Sequence, residues 1–173
     1  MNTKKMAANA ILIAVGAILH QLTPGLGIQS DFSLAMLFII IVLNKEYKTA
    51  LTCGIIIGVF AALTTKTPGG QFPNIVDKLI TANLVYLILI PLRSKMSKLV
   101  QMAIVLPLGT LISGTAFLTL LATIVGLPAG ASFGVLFVSV VVPTMIINTF
   151  IGLVLFKIVE KIASTSGAYA MQE

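Results

Sequence analysis

The sequence predicts an all-α membrane protein of six transmembrane helices with both termini cytoplasmic, and three observations lead there. Charged residues fill only 9% of 173 positions while hydrophobic ones fill 58%, with a mean hydropathy of +1.09. Soluble domains carry charge on about 25% of positions, so this chain could not solvate a globular surface. Apolar segments then recur at 6–22, 32–43, 49–65, 75–92, 99–126 and 133–157. With the N-terminus inside, Lys4, Lys5, Lys45, Lys48, Arg93, Lys95, Lys98, Lys157 and Lys161 fall on the cytoplasmic side, leaving Lys66 and Lys78 outside. Positive-inside bias accounts for that split, and omitting the second segment would spoil it.

The elements follow in order. Two lysines precede the first apolar segment, but no cleavage site closes it, so it is expected as a retained helix ending near His20-Gln21. The second segment is short against the roughly 20 residues of a full span; either it extends back toward Gln29 or the bundle shields it from lipid. Gly54 and Gly58 give the third segment a GxxxG face, and Gly109 and Ser113 repeat that spacing in the fifth; both suit close helix packing. Pro107 and Pro143 are expected to kink the last two helices. Residues 1–163 are expected to form one six-helix transmembrane domain, and 164–173 a flexible cytoplasmic tail.

Several functions are excluded or disfavoured. The net charge of +6 is explained by topology, and the basic residues form no face with interleaved aromatics, so no nucleic-acid partner is expected. Cys53 is the lone cysteine, within an apolar run, so neither a disulfide framework nor a metal cluster is expected. The sequence holds no G-x-x-x-x-G-K-[ST], H-E-x-x-H or G-x-S-x-G, which argues against an ATPase and against an enzyme, and no cofactor is expected. Six helices in so short a chain, with no similarity between halves, leave little room for the inverted repeats of secondary transporters, so transport would need other subunits.

The most informative stretch is Thr67-Pro68-Gly69-Gly70-Gln71-Phe72-Pro73-Asn74-Ile75-Val76-Asp77-Lys78. It sets glycines, prolines, an amide pair (Gln71 and Asn74) and an adjacent acid and base at a bilayer edge. Asn74, Asp77, Lys78 and Thr81 share one helix face by their spacing. Ionisable groups at membrane depth usually face a cavity or a partner. A zwitterionic solute would suit the pair, Lys78 meeting a carboxylate and Asp77 an ammonium. The bland alternative is a helix start, with Asn74 capping, Asp77 complementing the helix dipole and Lys78 reaching the interface. His20 could bind solute or a helix carbonyl, and Asp31 could touch a ligand or cap the second helix. Asn148 is expected to bond another helix. Phe32, Phe72 and Tyr86 are candidates for an aromatic wall. Ala10 and Ala14, with Ala17 continuing the face, allow a close approach by another helix, within the bundle or from outside.

With these residues in view, the chain resembles the bacterial tryptophan transporter family, which belongs to the substrate-binding S components of energy-coupling factor (ECF) transporters. The residues that carry the likeness are Pro68-Gly69-Gly70-Gln71, Pro73-Asn74 and Asp77-Lys78. Asp31-Phe32, Leu34-Ala35-Met36 and the first helix with Ala10 and Ala14 add to it, so that it runs from the N-terminus to about Lys161. The resemblance implies an S-component-like bundle in the bacterial plasma membrane and an outward-facing site for L-tryptophan. Gln71, Asn74, Asp77, Lys78, Asp31, His20 and Tyr86 are the candidate substrate-binding residues. It also implies a coupling transmembrane protein, docked on Ala10 and Ala14, and two ATPase subunits. Two alternatives stay open: an S component for another small nutrient, such as a vitamin or its precursor, and a non-transporting structural or regulatory subunit in which Asp77-Lys78 is an internal ion pair.

Overall fold

The computed structural model describes residues 3–23, 31–128, 130–167 and 169. Among them the chain forms six helices and no strand: α1 (Thr3–Leu22), α2 (Phe32–Leu43), α3 (Tyr47–Thr64), α4 (Gln71–Leu92), α5 (Lys98–Val125) and α6 (Phe133–Ser166). All but α2 are long and apolar enough to cross a membrane. Each expected segment is therefore a helix. The last runs on to Ser166, past the expected start of the tail, and Gly167 ends it in the left-handed conformation (φ 63°). Half of the expected tail, like Gln29, lies outside the described residues.

The short α2 is the axis of the bundle and contacts the other five helices. From Ser33 to Leu43 every residue is buried. At 1.5 Å per residue its 12 residues rise only about 18 Å, well short of a 30 Å hydrocarbon core. Enclosure removes the mismatch, because this helix meets no lipid. Its ends must then be satisfied by protein. At the start, the Asp31 carboxylate accepts from Leu34 N–H (2.9 Å) and Ser33 Oγ–H (2.6 Å). At the finish, Asn44 Nδ2 donates to Ile40 O (2.7 Å) and Asn9 Oδ1 (3.3 Å).

The other helices reach this axis through small residues. Gly16 of α1 rests on Ser33 and Met36, and Gly109 of α5 receives the Phe38 ring. Gly54 and Gly58 bring α3 onto α4, where a Cβ at Gly58 would lie 3.1 Å from the Ile75 carbonyl oxygen. Ala17 is buried against the bundle, so it does not continue the exposed face of Ala10 and Ala14. Proline acts unequally. Pro107 sits within the continuous α-helical stretch Lys98–Leu120, whereas the residues before Pro143 widen into a π turn, Phe137–Val141. Pro143, like Pro107, has no N–H to offer the turn before it, so the missing donor alone does not set the difference.

Arg93 closes the end of the bundle where α2 finishes. Its guanidinium donates to Ile41 O (2.9 Å), Asn44 O (3.0 Å) and Lys45 O (3.1 Å), and lies 4.9 Å from the centre of the Tyr86 ring. Tyr169 Oη–H reaches Asn9 Oδ1 (2.7 Å) at the same end, so both ends of the described chain lie there. A lysine cannot span three carbonyls in the planar fork that arginine provides. Arg93→Lys is expected to lose about 1–2 kcal/mol, read as a lower unfolding midpoint in mixed micelles, with ligand binding at the far end of α4 unchanged.

Candidate functional site

At the opposite end, three helices and a loop bring together charges far apart in sequence. Asp77 and Lys78 are almost wholly enclosed, at 1% and 2% exposure. Lys78 Nζ lies 2.8 Å from Asp31 Oδ2, 3.0 Å from Asp77 Oδ1 and 3.3 Å from Asp77 Oδ2. It also donates to Ser113 Oγ (3.3 Å), and Ser113 in turn donates to Asp77 Oδ1 (3.2 Å). An ammonium has three protons, and Asp31, Asp77 and Ser113 take all three. Burial alone would raise the Asp31 pKa, but the Lys78 ammonium and the Ser33 hydroxyl hold its carboxyl well below the usual carboxylate range.

The backbone of Asp31 is fixed as firmly as its side chain, since its N–H donates to Asn148 Oδ1 of α6 (3.0 Å). Asp31 thus caps α2, anchors α6 and holds Lys78 of α4. Asn74 does not cap α4: that helix begins at Gln71, and Asn74 Nδ2 donates back to Gly70 O (2.8 Å). Lys66 closes the neighbouring end of α1, donating to Gln21 O (2.9 Å) and to Thr23 O. Cations suit the carbonyl-rich end of a helix, which explains one of the two lysines that broke the inside bias.

Beside the cluster lies a partly open cavity of about 170 Å³. His20, Asp31, Asn74, Asp77 and Lys78 line one part of it, and Thr110, Ser113, Phe117, Val140, Val141 and Thr144 another. The π turn of α6 supplies Val140 and Val141, and Val141 packs on Gly114 of α5. His20 Nδ1 meets Thr64 Oγ1 at 2.7 Å, while the Thr64 hydroxyl proton goes to Phe60 O (2.7 Å). Thr64 can therefore only accept from the ring. In the neutral imidazole the proton sits on Nδ1, and Nε2 keeps a lone pair.

Several buried polar atoms have no partner among the described residues: the hydroxyls of Thr81, Thr110 and Thr144, and Nδ2 of Asn148. Thr110 and Thr144 line the cavity. Buried polar atoms are normally hydrogen-bonded, so these are places where a ligand or water would be held.

Five of the seven candidate solute residues, His20, Asp31, Asn74, Asp77 and Lys78, meet at this cavity. Two do not. Gln71 is the exposed first residue of α4. Tyr86 lies at the far end of that helix, nine residues beyond Asp77 and half a turn round, where it donates to Lys45 O (3.0 Å) and packs edge-on against Tyr47 (ring centres 5.2 Å apart). Phe72 is also exposed. The aromatic at the cavity is Phe117. It stands four residues after Ser113, so a helical reading of the fifth segment from the cluster onward could have found it. The expected division of labour also changes. Lys78 is committed to protein acceptors and has no proton left for a solute carboxylate.

The family model for "Tryptophan transporter TrpP" matches residues 2–164. Three curated relatives each carry the name "Probable tryptophan transport protein". One from Clostridium perfringens is 52% identical over 171 residues, covering 92% of this chain and 93% of the relative. One from Clostridium acetobutylicum is 47% identical over 163 residues, covering 93% and 94%. One from Bacillus subtilis is 38% identical over 168 residues, covering 96% of each. No solved structure matches significantly. Such relatives and several membrane-length apolar helices mark a multi-pass bacterial membrane protein.

Proposed function

We propose, on the premise that this chain belongs to the tryptophan transporter TrpP family, that it is the substrate-binding membrane subunit for tryptophan uptake. The observation that carries this reading is the buried Asp31–Lys78–Asp77–Ser113 cluster beside a cavity walled by Phe117. Burying three charges at the edge of an apolar bundle is expensive, and ionisable groups so placed usually serve a solute path. An ionic corner beside an aromatic wall matches an amino acid with an aromatic side chain. His20, Asp31, Asn74, Asp77 and Lys78 shape the solute site, and it faces outward, with the basic end and both termini in the cytoplasm.

Energy comes from elsewhere in this reading, from a coupling transmembrane protein and two ATPase subunits, since the chain carries no phosphate-binding loop. Ala10 and Ala14 are both exposed on α1 beside Ile11 and Ile18, which leaves that face open to a helix of the coupling protein. The chain contains no tryptophan and three tyrosines, so the indole emission of the ligand is read without interference. Purified chain in nanodiscs is expected to shift that emission to the blue in a saturable way. No shift up to millimolar tryptophan, from protein that is folded and monodisperse, would reject tryptophan as its ligand.

A further inference from the structure

Resting on the placement of a solute in this cavity, we propose that the site recognises its ligand first by the ammonium group and only second by the carboxylate. Its substrate class is then the arylethylamine skeleton with a free amine, of which an aromatic amino acid is one member. The argument is a count of charges and of free donors. With both carboxyls ionised, Asp31 and Asp77 are two negative groups around one positive group, Lys78. His20 in its neutral Nδ1–H form adds nothing to that sum. Lys66 is exposed and turned to the carbonyls that end α1, so water screens it. The cluster is therefore one cation short.

The acceptors are not equally occupied. Both oxygens of Asp31 are engaged, by Lys78, Ser33 and Leu34 N–H. Asp77 Oδ1 takes Lys78 and Ser113, whereas its Oδ2 has only a 3.3 Å contact with Lys78. That oxygen is where a second ammonium would be held. Among the described residues, a carboxylate entering the cavity has no free cation to meet. What remains for it are neutral donors, the unpartnered hydroxyls of Thr110 and Thr144. In a site of low polarity a charge pair outweighs neutral hydrogen bonds, so the two ends of a zwitterion are read unequally.

Two probes separate the ends. Tryptamine keeps the ammonium without the carboxylate, and indole-3-propionate keeps the carboxylate without the ammonium. With the full chain in nanodiscs, tryptamine is expected within about 30-fold of tryptophan. Indole-3-propionate is expected at least about 100-fold weaker than tryptophan, because it brings a second negative charge to a cluster already in excess. Asp77→Asn is expected to weaken both amines by at least about 30-fold and to narrow or reverse their lead over the acid.

Indole-3-propionate binding as well as tryptamine, or both analogues failing equally, would overturn the proposal. So would an unchanged preference in folded Asp77→Asn protein. Tryptamine binding without tryptophan would uphold the charge reading and remove tryptophan as the substrate. Binding of none of the three would reject both.

Discussion

Lys78→Met is expected to destabilise the folded chain by about 3–5 kcal/mol, the range found when one partner of a buried ion pair is removed. The reason is the pair of carboxylates left behind. Lys78 lies 2.8 Å from Asp31 and 3.0 Å from Asp77, and without it two negative groups would face each other with Ser113 as the remaining donor to Asp77. The measurement is the unfolding midpoint in mixed micelles, followed by far-ultraviolet circular dichroism. Adding Asp77→Asn to Lys78→Met is expected to recover part of the loss, since it removes one of the uncompensated charges. A loss below about 1 kcal/mol would mean that water solvates the cluster. Asp77→Asn alone is expected to stay within about 1 kcal/mol of the parent, because Lys78 keeps Asp31. A non-transporting subunit with an internal ion pair predicts the reverse pattern for Asp77, lost folding without a specific loss of binding.

Gly58→Val is expected to reduce both stability and ligand binding. A Cβ there would meet the Ile75 carbonyl oxygen at 3.1 Å and the Ile75 Cα at 3.2 Å, both backbone atoms that cannot rotate aside. Helix α4 must move away from α3, and Lys78 Cβ, 3.4 Å from the same point, moves with it. Overpacking of this kind costs about 1–3 kcal/mol, and a shift of the binding groups is expected to weaken tryptophan about tenfold or more. Gly134→Ala is the control, because nothing lies within 4 Å of its added methyl and the residue is helical. It is expected to be neutral or to add up to about 1 kcal/mol. Equal losses in both variants would show that glycine as such, rather than the α3–α4 contact, is at stake.

The helices were legible because a bilayer imposes a simple code. Backbone groups in hydrocarbon must be satisfied within the segment, so apolar length reads directly as helix, and all six segments are helices. The face carrying Asn74, Asp77 and Lys78 was legible as well, because a 3.6-residue period puts those positions on one stripe whatever surrounds them. The positions of the two candidates that lie away from the cavity have plain causes. Gln71 lies on the motif but at the exposed first turn of α4, and Tyr86 lies on the right helix but on the opposite face and at the opposite end from Asp77.

Sequence by itself thus determined the class, the number of helices and one wall of the cavity, since each follows from local periodicity and from the cost of charge in lipid. Tertiary structure alone decided that the short helix is the axis, that Asp31 and Ser113 join Asp77 and Lys78, and that Phe117 supplies the aromatic. It also decided that Lys78 is spent on the protein itself. Those facts depend on which faces of separate helices meet across 35 to 47 residues of chain. No local pattern encodes that choice; close approach at Gly16, Gly58 and Gly109 sets it, through packing that forms only when all the helices are present.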